Sequence, residues 1–210
     1  VMVPLIFVAA ASFSDPDLVI RGEVLLWPKG LTTKAYTMVF ENKDIWRGFR
    51  NTMFYTALGT IISVTLTVLA AYPLSRKNLR GRNFIMMAVL FTMYFSGGMV
   101  PTYLLVKDLG MYNTIWAILI PNALSTYNLI VAKTFFENSI PEELYESARL
   151  DGCGNISMLL RIVLPLSKAI LAVLVLYYAV AIWNSYFDAL IYLKDSSLHP
   201  LQIVLRNILL

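Results

Sequence analysis

Residues Glu142–Pro165 read EELYESARLDGCGNISMLLRIVLP. This is the one polar, helix-coded segment set between long apolar runs. Ser139 followed by Glu142 predicts a helix N-cap with a capping box. Pro141 then falls in the first turn, where a missing N–H does no harm. Glu142 and Glu143 place negative charge at the positive end of the helix dipole. The helix should run through Ala148 and Leu150 and stop at Gly152, which can adopt a positive φ. A second helix is expected from about Asn155 to Val163, with Pro165 marking the turn into the next apolar run. Leu144, Tyr145 and Ala148 supply a small apolar patch, and Glu142, Glu146 and Arg149 a charged face. Such a patch ringed by charge suits a partner's groove. Helices that lie on lipid usually carry Lys and Arg on the polar face, so the acidic start favours a protein partner.

Working outward, composition sets the class. The chain is 58% hydrophobic with a mean hydropathy of +0.66, and only 14% is charged. A soluble domain carries about 25% charged residues, so the solvent for most of this chain is lipid. The net charge of +4 fits basic loops on the cytoplasmic side better than nucleic-acid binding. One cysteine, Cys153, excludes an internal disulfide, and one histidine, His199, leaves no histidine pair for metal binding or catalysis.

The apolar runs are read as membrane spans. The first is a partial span over Val1–Ser14, and the chain is expected to belong to a longer protein. Asp15–Arg50 is a nearly balanced polar segment with six Lys/Arg and five Asp/Glu, expected outside. Lys43, Asp44, Trp46 and Arg47 suggest an interfacial helix ahead of the second span, Asn51–Ser75. In that span Gly59, Ser63 and Thr67 share one stripe, which reads as a packing face. Arg76–Arg82, RKNLRGR, has four basic residues and no acid, which places it in the cytoplasm. The third span, Asn83–Val106, contains Gly97, Gly98 and Pro101, consistent with either a broken helix or a helix end. The fourth, within Leu109–Ala132, is expected to kink at Pro121. The fifth is Ala169–Leu193, and an amphipathic piece follows over Pro200–Leu210. Every span reads as helix, and nothing alternates with the period of a barrel strand.

At the quoted loop the chain resembles a known family. Glu146-Ser147-Ala148, Gly152 four positions after Ala148, and Ile162-Val163-Leu164-Pro165 look like the EAA signature of ABC importer permeases. Asp151 before the glycine also matches, while Ser147 stands where the signature has its first alanine and Cys153 where alanine is common. PTYLLVKDLGMYNT and ILIP (Ile118–Pro121) are similar to carbohydrate permeases of the maltose type, and GGMVPTYLLVKDLG to those for complex oligosaccharides.

The resemblance implies an all-α, polytopic helical bundle of the type I ABC importer permease fold. Five spans of six would be present, the first partial, in one transmembrane domain over residues 1–210 with a coupling loop at 139–165. It implies a second homologous permease, two ATPase subunits and an extracytoplasmic solute-binding protein in the same cytoplasmic membrane. The chain contains no G-x-x-x-x-G-K-[ST]. ATP and Mg are therefore expected on the partner ATPases, with no cofactor, metal or catalytic group on this chain. ATPase coupling is expected at Glu142, Glu143, Tyr145, Glu146, Ser147, Ala148, Asp151, Gly152, Ile162 and Pro165.

The translocation path is sought among Trp183, Asn184, Tyr186 and Asp188 in the fifth span, with Tyr127 and Asn128 in the fourth. Amide, hydroxyl and carboxylate groups beside aromatic rings suit a sugar; interhelical hydrogen bonds and an aromatic belt are the competing reading. Two functional rivals stand. One is a permease of the same class for an amino acid, phosphate or polyamine. The other is a secondary transporter, which needs ionisable groups inside the spans, and these spans carry almost none.

Overall fold

The computed structural model describes residues 2–209; Val1 and Leu210, the outer limits of the first span and of the final amphipathic piece, lie outside the described residues. All regular structure among them is helical: α1 Met2–Ser12, α2 Pro16–Ile20, α3 Lys34–Glu41, α4 Lys43–Ser75, α5 Arg82–Tyr94, α6 Met99–Asp108, α7 Trp116–Leu119 and α8 Thr126–Ser139. The series continues with α9 Glu142–Leu150, α10 Asn155–Met158, α11 Leu164–Leu166, α12 Lys168–Trp183, α13 Phe187–Tyr192 and α14 Leu201–Leu209. A π-helical turn over Leu159–Val163 joins α10 to α11.

The mast of the fold is α4, at 33 residues, or about 50 Å. It starts eight residues before the expected span. The side chain of Asn42 accepts from the Asp44 N–H at 2.9 Å and caps it. Lys43, Asp44, Trp46 and Arg47 are thus its first turns rather than a separate interfacial helix, because nothing in 43–51 breaks the hydrogen-bond ladder. The stripe of small residues does the packing expected of it. A Cβ on Gly59 would come within 2.8 Å of Ile182 and 2.9 Å of Leu119, while Ser63 and Thr67 are buried. Val68 and Ala71 of α4, Leu129, Ala132 and Phe136 of α8, and Leu174 of α12 form the main core.

The third, fourth and fifth expected spans are broken, and among the described residues α4 alone is long and apolar enough to cross a membrane as one helix. The third splits at Gly98, whose φ of +85° is a left-handed conformation; α5 and α6 then diverge by 112°. The fourth does not kink at Pro121. It stops, since proline cannot continue the ladder of α7, and α8 starts afresh with the Ser125 hydroxyl accepting from the Asn128 N–H. It then passes Ala132 and runs to Ser139. The fifth ends at Trp183, and α13 follows after a break at Asn184–Tyr186. Between the α10–α11 segment and α12 the chain turns 85°, at the buried Ser167 rather than at Pro165.

On the far side of the bundle from α9, Asn113 ties two connections together. Its Oδ1 accepts from the Lys194 and Asp195 N–H groups at 2.8 and 2.9 Å. The amphipathic tail is α14, laid on α4 where Gly48 admits Leu201 and Val204.

Candidate functional site

Helix α9 does not use the expected capping box. Ser139 is the last residue of α8, and Pro141 itself is the N-cap of α9 with no side-chain cap. The extended backbone of the residue before a proline explains this: Ile140 is β-like, so α8 must stop there. The other end is closed as predicted. Gly152 has a φ of +73°. Its N–H bonds to the Arg149 carbonyl at 3.0 Å, and the Cys153 N–H to the Ala148 carbonyl at 2.8 Å. These two bonds are a Schellman motif. After the turn, Pro165 has no N–H for the carbonyl four residues back. The preceding turn widens accordingly, and the Leu164 N–H bonds to Leu159 five residues away.

The two faces of α9 differ from expectation. Tyr145 (2% exposed) and Ala148 turn into the core with Phe136, Met158 and Leu159. Two of the three residues of the apolar patch expected for a partner's groove are therefore spent on the chain's own bundle, while Leu144 stays exposed. Glu143, Leu144, Glu146, Ser147, Asp151 and Gly152 are exposed; Glu142 and Ile162 are partly buried and Pro165 is exposed.

A residue that sequence reasoning missed holds α9 in place. The Arg76 guanidinium at the end of α4 lies 3.2 Å from the Tyr145 ring centroid and 2.9 Å from Glu142 Oε1. Its side chain is only 10% exposed. The stacked cation contributes about 2 kcal/mol when desolvated. Burial raises the Tyr145 phenol above its usual range. Beside it, Glu137 of α8 takes Lys133 at 2.6 Å and Arg82 at 3.0 Å. The hydrogen bond from Lys133, with both cations adding, holds the Glu137 carboxyl below the usual carboxylate range. Two basic residues of RKNLRGR thus bind the start of α9 and the end of α8. The only hint in the sequence was the pairing of basic and acidic loops on one side.

The second candidate region is a cavity of about 430 Å³ between α7–α8 and α12–α13. Both helix breaks open onto it. Asn122, Ser125, Asn128, Tyr178, Ser185 and Asp188 provide its polar lining. Asn122 Nδ2 donates to Asp188 Oδ2 at 2.9 Å. The Tyr178 hydroxyl accepts from the Ser125 N–H at 3.1 Å and shares a 2.6 Å hydrogen bond with Thr67 of α4. Of the expected path residues, Asp188 and Asn128 meet here. Trp183 packs edge-on against Phe49, with ring centroids 6.2 Å apart, and its carbonyl accepts from Gln202. Asn184 donates to its own helix at Val180. Tyr127 and Tyr186 are exposed and do not line the cavity. Asn122 was missed because it sits beside Pro121 inside what reads as a continuous span.

An apolar helical bundle with a polar cavity at its helix breaks and a pinned polar helix at one end is consistent with a transport permease. The chain belongs to the family described as binding-protein-dependent transport system inner membrane component, whose family model matches residues 63–197. Protein LplC of Bacillus subtilis (strain 168) is 42% identical over 207 residues, spanning 99% of this chain and 70% of that protein. The polygalacturonan/rhamnogalacturonan transport system permease protein YtcP of the same organism is 43% identical over 209 residues, covering 100% and 73% of the two chains. Among solved structures, a bacterial ABC transporter involved in the import of the acidic polysaccharide alginate matches with a TM-score of 0.94 and 35% identity. That match covers 98% of this chain and 73% of the solved one. The fold is that of an ABC importer permease, and the chain is a component of the inner, cytoplasmic membrane.

Proposed function

We propose that this chain passes an oligosaccharide through the membrane as one permease subunit of an ABC importer, driven by ATPases that dock on the Glu142–Pro165 loop. The observation that carries the sugar reading is the extent of the match to transport proteins named for polygalacturonan/rhamnogalacturonan and for alginate. The polar cavity at Asn122, Asn128 and Asp188 supplies hydroxyl partners of the kind a sugar needs.

Two ATPase subunits, a second homologous permease and an extracytoplasmic solute-binding protein complete the machine in this reading. ATP and Mg reside on the ATPases. The docking surface is the exposed face of α9 and its glycine turn: Glu143, Glu146, Ser147, Asp151 and Gly152. Tyr145 and Ala148 seat that helix, and Ile162 and Pro165 shape the segment that follows. Glu146 is the acidic group that pairs with a cation on the ATPase. When the ATPases close, α9 moves as a rigid body and tilts α8 and α12 about the cavity. The Arg76 contacts extend the same motion to α4.

Copurification with the ATPase, followed by uptake of a labelled oligosaccharide panel, tests both halves. Capture of an ATPase and uptake of at least one oligosaccharide are expected. Uptake of amino acids, phosphate or polyamines instead would replace the cargo while leaving the coupling reading intact; failure of any ATPase to bind would remove the coupling reading.

A further inference from the structure

A second cleft, of about 390 Å³, opens between the end of α4, the basic loop that follows it and the segment from Arg149 to Leu159. Its apolar walls include Leu69 and Pro73 of α4 and Ile156 of α10. Leu69 is 55% exposed on the spanning helix and Ile156 is 76% exposed. The cleft therefore continues onto a surface that apolar chains can follow along α4.

Its polar groups are of one kind. With the Asn78 amide oriented to satisfy its neighbours, the amide oxygen accepts from both terminal nitrogens of Arg149, at 2.6 and 3.0 Å. This aims the guanidinium without neutralising it. Among the described residues no carboxylate forms an ion pair with Arg149, and no acidic side chain lines the cleft. Arg76 also lines it, but its charge is met by Glu142. The cleft thus holds one uncompensated, pre-oriented guanidinium at the head of an apolar strip, beside a loop of basic residues that marks the cytoplasmic face.

We infer that this cleft binds an anionic phospholipid of the cytoplasmic leaflet, with the headgroup phosphate on Arg149 and an acyl chain along Leu69. A guanidinium matches a phosphate bidentately. A headgroup that also carries an ammonium finds only cations here, so net-negative lipids are selected. The acidic first turn of α9 does not oppose this, since Glu142 is occupied by Arg76 and the cleft lies at the helix's basic end.

The test uses the whole transporter, purified with its partner subunits and analysed for retained lipid by native mass spectrometry. It is then reconstituted into nanodiscs of phosphatidylcholine with and without phosphatidylglycerol. Retained phosphatidylglycerol is expected to fall about fivefold in Arg149→Gln, the effect of one interfacial cation. It should fall similarly in Ile156→Trp, which fills the cleft and keeps the charge. Arg80→Gln, the same charge change in the adjacent loop but outside the cleft, should leave retention unchanged. Equal losses in Arg80→Gln and Arg149→Gln would mean a diffuse basic surface and would overturn the site. Release of the lipid by inorganic phosphate alone would show a bare phosphate site. Crosslinking of Ile156→Cys to the ATPase, with no lipid retained, would make the cleft a protein interface. Either result ends the lipid assignment.

Discussion

The guanidinium of Arg76 stacks 3.2 Å from the ring centroid of Tyr145, joining the end of α4 to the buried face of α9. Arg76 also bonds Glu142, so one side chain holds two successive turns' worth of the polar helix. In the proposed coupling role α9 must not slip against its support, and this contact ties it to α4. Replacing Arg76 by Gln should leave ATP hydrolysis in the assembled transporter while uptake falls. Arg76→Lys should recover little, because an ammonium lacks the planar group that stacks on the ring while one of its N–H donors reaches the carboxylate. The measurement is the ratio of substrate moved to ATP consumed; an unchanged ratio in both variants would show that α4 takes no part in coupling.

Gly152 separates backbone from bulk. No atom lies within 4 Å of where its Cβ would be, yet its φ is +73°. A side chain has room but the backbone conformation resists it. Gly152→Ala should therefore cost only about 1–2 kcal/mol and retain uptake. Gly152→Pro forbids the conformation and removes the N–H bonded to Arg149. It should abolish uptake while the subunit still inserts. Uptake by each variant, against subunit level in membrane fractions, checks this.

Glu137 predicts a pH dependence. Its carboxyl is held low by Lys133, aided by Arg82. The group therefore contributes stability that is complete above the unfolded carboxylate value of about 4.3. That contribution is lost as pH falls through the lower folded value. Thermal melts of purified protein should show a loss below about pH 4.3 that Glu137→Gln removes, with Glu137→Gln melting lower than the parent at pH 7. Parallel curves for parent and variant would contradict it.

The cavity makes a residue-level distinction. Asp188→Leu or Asn122→Leu strands the other partner of a 2.9 Å hydrogen bond and should lower uptake about tenfold with normal assembly. Trp183→Phe preserves the edge contact to Phe49 and should transport nearly as well as the parent. Comparable defects in all three would return the path to the aromatic residues.

How much was legible follows from where the information lay. The glycine turn, the helix on each side of it and the packing stripe at Gly59, Ser63 and Thr67 were all readable, because each rests on local chemistry. The boundary at Ser139 was misread because a capping box and a helix end use the same residue types. The fourth span, expected to kink at Pro121, and the fifth, expected to run unbroken, differ from the structure because hydropathy does not report a broken ladder. Asn122, Ser125 and Asn184 look the same inside a helix as beside a break.

By itself the sequence determined that the chain is helical and lipid-embedded, where its polar loop lies, and which family's spacing that loop carries. These depend on composition and on residues within a few positions of one another. Only the tertiary structure decided which face of α9 is free, that Arg76 is spent on Glu142, and that Asn122 meets Asp188. Each of those pairs is 66 residues apart. In a membrane bundle both the lipid face and the core face are apolar, so periodicity cannot tell inward from outward. Packing alone assigns Tyr145 and Ala148 to the inside and leaves Glu146 exposed.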